Sequence, residues 1–138
     1  MADRVKKVSY CYVSVPNRAG QGAKILDALQ QAGVNLLAYT GFPLKGGKAQ
    51  LDLVTDEMAG LKRVARKHGW RLSKNKRGFL VQGDDKVGAA SRHLQRLASE
   101  KISVVAADGV AAGKGRWGMI LWVRPKDYTR AARVLKAK

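Results

Sequence analysis

The chain is short of the residues that most enzymes and metal proteins rely on. It has one cysteine, Cys11, and two histidines, His68 and His93, among 138 residues. A single thiol excludes an intramolecular disulfide and leaves a thiolate metal site without ligands, which fits a reducing, cytoplasmic setting. The two histidines fall on different expected helices with no cysteine or acid at ligand spacing, so both are expected at the surface; no metal and no cofactor is expected. Acids number only 10, with Glu57 and Glu100 the sole glutamates. No carboxylate pair and no set of nucleophile, base and orienter can be assembled from them, so no catalytic residue is assigned and the protein is not expected to be an enzyme. An apolar run of about eighteen residues is also missing. Met1-Ala2-Asp3-Arg4 leads into a strand-like segment rather than a signal-peptide core, which points to a soluble, unexported protein with no membrane partner.

What is abundant is positive charge and internal repetition. Lys and Arg number 27, for a formal net charge of +17, which attracts polyanions at long range and opposes unspecific self-association. The repetition is centred on Pro16-Asn17-Arg18-Ala19-Gly20-Gln21-Gly22, a turn between an apolar run and an amphipathic stretch. At a fixed offset of 68 residues, Asn17 to Gly20 falls on Asp85 to Gly88, Leu26 and Leu29 on Leu94 and Leu97, Val34 on Ile102, Gly41 on Gly109, Gly47 on Gly115 and Leu53 on Leu121. One offset held across a turn, a helix and the following hairpin marks two copies of one unit, residues 1–75 and 76–138. Each copy alone buries little apolar surface, so the two are expected to pack together.

Within the first copy, residues 8–15 alternate, with Ser9, Cys11, Val13 and Val15 on the side expected to be buried. Asn17 suits an N-cap, Ile25, Leu26, Leu29 and Ala32 recur at helical spacing, and Gly33 ends that helix. Leu36 to Phe42 and Ala49 to Thr55 read as strands joined by a hairpin turn at Lys45-Gly46-Gly47-Lys48. Met58, Leu61, Val64 and Ala65 mark a second helix ended by Gly69, and Trp70 to Ser73 a short fourth strand. The second copy repeats the order: Gly78 to Gln82, a helix over Val87 to Ser99, Ser103 to Ala107, Trp117 to Val123, and a helix carrying Tyr128, Ala131, Ala132 and Leu135. Nothing remains for its fourth strand, so an uncovered edge is expected, to be filled by another segment or another chain.

With that order, the Asn17-to-Gly20 and Asp85-to-Gly88 turns and the Gly33-Val34-Asn35 helix exit, the sequence resembles a tandem pair of ACT domains, small regulatory modules that bind amino acids and related metabolites. The resemblance implies an α+β fold of two ferredoxin-like βαββαβ units in tandem, antiparallel sheets side by side with helices on one face, the second unit lacking its last strand. It also implies a ligand in the seam between the turn of one unit and the helix exit of the other, homodimer formation and a regulated protein partner. The contacts so implied are Asn17, Ala19, Gly20, Gln21, Asn35 and Leu36, with Asp85, Val87, Gly88 and Ser103 in the second copy. Main-chain donors from Ala19 to Gln21 would take a carboxylate, Asn35 an ammonium, and Leu36 would line the floor. Many family members carry proline where this chain has Ala19 and Val87. Ser103 offers one hydroxyl where Asn35 offers an amide's donors and acceptor. The same residues also suit a plain turn and cap.

Two motifs fail on inspection. Gly109 to Gly115 is one residue short of a phosphate loop and has glycine where a magnesium-holding hydroxyl is needed, and Gly20-Gln21-Gly22 lacks the third glycine of a dinucleotide fingerprint. A rival reading remains, a nucleic-acid-binding protein. No acid occurs between Glu57 and Asp84, a window holding Lys62, Arg63, Arg66, Lys67 and Arg77, and the same strand order serves RNA-recognition motifs. Tyr10, Tyr12 and Trp122 are then expected on the bare sheet face, and Arg77-Gly78-Phe79-Leu80-Val81 is similar to the start of the RNA-recognition signature, though on the wrong strand.

Overall fold

The structure, a computed structural model, describes residues 3–138. Among the described residues are six strands, antiparallel in each pairing that follows, and four helices. In chain order they are β1 (Arg4–Pro16), α1 (Gln21–Gln31), β2 (Ala38–Leu44), β3 (Lys48–Thr55), α2 (Met58–His68), β4 (Lys76–Asp84), α3 (Ser91–Ser99), β5 (Val104–Gly113), β6 (Arg116–Val123) and α4 (Tyr128–Leu135), with a 3-10 turn at Pro125–Asp127 before α4. The chain divides into two compact units, Ser9–Lys76 and, separately, the residues up to Val8 with Arg77–Lys138. The long first strand therefore contributes its second half to one unit and its first half to the other.

In the Ser9–Lys76 unit the strands run in the order β2-β3-β1. Cys11 pairs with Leu53 and Val13 with Leu51 across β1 and β3, so the period-two alternation stacks four apolar side chains on one face. α1 and α2 cover that face: Ile25 and Leu29 from the first and Leu61 and Val64 from the second join Cys11, Val13, Val15, Leu51 and Leu53 in one core. Burial pushes the Cys11 thiol pKa up. Trp70 to Ser73 does not form a strand. It is tied to β1 by Ser73, whose N–H donates to the Tyr12 carbonyl (2.9 Å) and whose Oγ accepts from the Tyr12 N–H (2.9 Å), a side chain standing in for a ladder bond.

In the other unit the order is β5-β6-β4, with β1 beside β4 on the side away from β6. Phe79 pairs with Leu121 and Val81 with Met119, and their shared face packs against Leu97 of α3 and Ala131 and Leu135 of α4. Val5, from the first half of β1, belongs to the same core. Tyr128 stacks on Phe79 at 4.6 Å between ring centroids and donates its hydroxyl to the Gly78 carbonyl at 3.0 Å. No strand follows α4 among the described residues; Lys138 donates its N–H to the Val5 carbonyl (3.1 Å), and Lys7 donates to the Lys138 carbonyl (3.3 Å).

The sequence repeat is also a backbone repeat. Asn17 donates its N–H to Gly47 at 2.8 Å and Asp85 donates to Gly115 at 2.8 Å; Val34 donates to Leu29 and Ile102 to Leu97, both at 2.9 Å. Left-handed positions recur as well, Gly20 (φ 88) with Gly88 (φ 79) and Gly47 (φ 73) with Gly115 (φ 72). Of the three non-glycine residues with positive φ, Lys101 and Lys114 stand where the earlier stretch has Gly33 and Gly46, and Lys136 caps α4 in the left-handed region as Gly69 caps α2.

Several expectations are corrected. Asn17 is not an N-cap: α1 starts at Gln21, capped by Gly20 in the left-handed region with no side-chain cap bond, because the chain reverses over residues 17–20 first. The second expected helix start, Val87, likewise moves to Ser91. Tyr10 and Trp122, expected on a bare face, are only 8% and 6% exposed. His93, expected at the surface, is buried against Asp3, whereas His68 is exposed and stacks on Trp70.

Candidate functional site: a crevice at the opening of the first helix

The turn that leads into α1 and the hairpin of β2 and β3 enclose a crevice of about 340 Å³. Val15, Pro16, Asn17 and Arg18 come from the end of β1 and the turn, Gln21 and Gly22 from the first turn of α1, Tyr39, Gly41, Phe42 and Pro43 from β2, and Ala49 and Leu51 from β3. Register explains the gathering. Val15 and Pro43 both pair with Ala49, and Gly41 pairs with Leu51, so the strand ends present one apolar floor. Asn17 anchors the turn to the hairpin tip through its N–H to Gly47, and Gly20 at φ 88 swings the chain into the helix.

Two glycines shape the wall. The Tyr39 hydroxyl lies 3.3 Å from where a Cβ would stand at Gly22 and equally 3.3 Å from that position at Gly41. The phenol therefore crosses between β2 and α1 in close contact with both backbones, and a side chain at either position would press on its hydroxyl. The polar complement is the Asn17 and Gln21 carboxamides, the Arg18 guanidinium, the Tyr39 hydroxyl and the early amides of α1, whose N–H groups have no intrahelical acceptor. A helix amino terminus beside a guanidinium suits a carboxylate, the carboxamides can face either charge, and Phe42, Pro43, Val15 and Leu51 suit an apolar substituent.

Of the sequence-assigned contacts, Asn17 and Gln21 line this crevice, while Ala19 and Gly20 build its turn without lining it. Asn35 and Leu36 lie past the other end of α1, whose 11 residues span about 16 Å. There the Asn35 N–H donates to Glu57 Oε2 (2.8 Å) and its carbonyl accepts from Thr55 Oγ1 (2.7 Å), while Leu36 packs on the core. In the second copy, Asp85 is held by Gly115, Gly88 makes the left-handed turn, Val87 is wholly exposed, and Ser103 is exposed after α3. Arg18, Gly22, Tyr39, Gly41, Phe42 and Pro43 are lining residues that the sequence reading did not assign. The signal for the aromatic pair was available, since Tyr39 and Phe42 flank a glycine, Gly41, inside a strand.

The basic window is exposed: Lys62, Arg63, Arg66 and Lys67 on α2, and Arg77 with its guanidinium 4.0 Å over the Tyr128 ring. The stacking platform of the rival reading is not there, because Tyr10 and Trp122 are buried and Phe79 and Val81 are fully enclosed. Burial raises the Tyr10 phenol pKa to about 12, with the Asp52 carboxylate and Tyr12 adding to it. Among the described residues no cluster of three metal-ligating side chains occurs, and no helix is long and apolar enough to cross a membrane.

No protein-family model matches the chain, and no curated protein sequence matches it. Solved structures do. A protein from Bacteroides thetaiotaomicron superposes with a TM-score of 0.77 at 14% identity, over 97% of this chain and 88% of that one. The ligand-free regulatory subunit of aspartate kinase from Thermus thermophilus gives 0.62 at 14% identity, over 98% and 93%. The corresponding subunit from Thermus flavus gives 0.55 at 19% identity, over 98% and 94%. At such identities the likeness is one of fold: the chain shares its fold with the regulatory subunits of aspartate kinase.

Proposed function

We propose that the chain is a non-enzymatic regulatory protein, built as two ACT-like units in tandem, that binds an amino acid or a closely similar metabolite at the opening of α1. The sequence copies behind these units are residues 1–75 and 76–138, and the first half of β1, written in the first copy, serves beside β4 as the strand that the second copy does not write for itself. The observation that carries the reading is the 340 Å³ crevice, which sets carboxamides, a guanidinium and the first turn of α1 against an apolar floor. The ligand carboxylate meets the Gly22 amide and Arg18; its ammonium meets the Asn17 and Gln21 carbonyl oxygens; its side chain lies on Phe42 and Leu51. Asn35 and Leu36 join the site where a second protomer brings its own helix exit to this turn.

Binding acts by population shift: a ligand that ties the turn to β2 stiffens one arrangement, and a protein partner that prefers that arrangement reads the change. Homodimer formation is part of the proposal, because β2 and β5 end the strand order and expose Tyr39, Phe42, Leu44, Val105 and Val110. A cytoplasmic setting is part of the proposal, and the single free, buried cysteine is compatible with it. The fold shared with regulatory subunits supports this role over nucleic-acid binding.

A thermal-shift screen of the twenty standard amino acids tests it. A ligand at a hundredfold its Kd adds about 2.7 kcal/mol of apparent stability, so at least one amino acid raises the melting temperature by several degrees, and Arg18→Ala and Asn17→Ala abolish the rise. No response to any of the twenty overturns the amino-acid assignment.

A further inference from the structure

We infer that the crevice's counterpart in the second copy is closed by the chain's own Trp117, so that the protein binds one ligand per chain and not two. This rests on reading the first crevice as the ligand site. The repeat offset maps Val15, Gly41 and Ala49 onto Gly83, Gly109 and Trp117. In the first copy Val15 faces the small Ala49, and the space toward Gly41 stays open. In the second, Gly83 faces Trp117 across β4 and β6, and the indole takes that space together with the Asp3 carboxylate, which lies over Gly83. The indole Nε1 lies 3.2 Å from the Cβ position of Gly83 and its Cζ3 lies 3.7 Å from that of Gly109, so one ring spans both positions. Trp117 is only 6% exposed, with the His93 ring 6.2 Å from it on the helix side.

The chemistry of the mouth changes in the same direction. Gln21 becomes the buried Ala89 and Tyr39 becomes Ala107, which removes a carboxamide and a hydroxyl. Asn17 becomes Asp85, which puts a carboxylate where the first copy has a carboxamide, while Lys86 keeps the positive charge of Arg18. An anion meets a filled cavity and a like charge at its rim. The second copy is thereby a structural unit, and Trp117 with Asp85 sets the stoichiometry.

Equilibrium dialysis against an equimolar mixture of the twenty standard amino acids, with bound amino acid counted per chain, reads this directly. The expected result is one per chain for the wild type and two for the double variant Trp117→Gly with Asp85→Asn. Two per chain in the wild type overturns the inference. None in the wild type overturns the ligand-site reading, and the state of the second crevice is then decided by two measurements that need no amino acid. Free indole, entering the vacated space, raises the melting temperature of Trp117→Gly and leaves that of the wild type unchanged; no response from the variant counts against the plug. In a chain whose other tryptophans are replaced (Trp70→Phe, Trp122→Phe), Trp117 emission is blue-shifted and resists acrylamide. Ready quenching in that folded variant overturns the inference.

Discussion

Asp3 shows how much one side chain does in this protein. Its carboxylate is 3% exposed and lies 2.6 Å from His93 Nε2 and 2.8 Å from Arg92 Nη2. Burial alone would raise its pKa, but the bonds from Arg92 and His93 outweigh burial and hold it below the usual carboxylate value. A depressed carboxylate pKa means stability that is fully present above the ordinary carboxylate range and is lost as pH falls through the lowered folded value. Asp3→Asn therefore flattens the acid limb of a stability-against-pH profile, and Asp3→Ala, which strands His93 in the core, costs about 3 kcal/mol near neutrality; urea melts across the pH range check both. Only Gly83 permits the arrangement, since a Cβ there would collide with the Asp3 carboxylate. No spacing rule could reveal this pair, because its partners are ninety positions apart.

The left-handed lysines give a second prediction at the same scale. Lys101, Lys114 and Lys136 hold φ near 57; glycine stands at the offset counterparts of the first two and at the corresponding helix cap for the third. An L side chain there costs about 1 kcal/mol, and glycine's larger unfolded-state entropy takes back about half of it. Each Lys→Gly change is expected to raise stability by about 0.5 kcal/mol, measured by chemical denaturation; a loss of that size would contradict the strain argument.

At the scale of elements, α1 is positioned by glycines and its crevice is walled by β2. The Tyr39 hydroxyl and the Leu51 side chain lie within 3.3 Å of a Cβ at Gly41, so Gly41→Val pushes the phenol off the wall. Ligand affinity is expected to fall at least tenfold, about 1.4 kcal/mol, while the melting temperature moves little because Gly41 is exposed and valine suits a strand. Calorimetric titration beside a thermal melt separates the two effects. The turn half of this site was legible in the sequence, because glycine spacing and a helix start are local signals. The β2 half was not: whether Tyr39, Phe42 and Pro43 face a crevice or open solvent depends on their pairing with residues 49–53 and on where α1 begins. Asn17 misled for a related reason, since asparagine serves turns and caps alike and only the φ of Gly20 decides between them. His93 was misplaced because pattern reading cannot see a buried polar partner; the face of Trp122 was legible, but the closing of its ring over Gly78 was not.

At the scale of the whole molecule, the repeat was legible because a fixed offset survives in both sequence and backbone bonds. The division of β1 was not, since nothing in Arg4–Val8 marks it as belonging with β4. It has a consequence: deleting residues 1–8 removes Val5 from one core, Asp3 from His93 and the acceptor for the Lys138 amide. Hydrogen exchange on the truncated chain is expected to show protection lost first in β4, α3 and α4, with β2 and β3 retaining theirs. Uniform loss across all strands would mean that the first half of β1 has no particular role in that unit.

The central claim, that a small carboxylate-bearing ligand seats at the opening of α1, is tested most directly by amide chemical-shift mapping on labelled protein titrated with the amino acid that raises the melting temperature most. The account predicts saturable shifts at Gly20, Gln21, Gly22, Tyr39 and Gly41, with Asp85 to Ala90 unmoved. Shifts confined to the second copy's turn, or to the Lys62–Arg77 stretch, would contradict it.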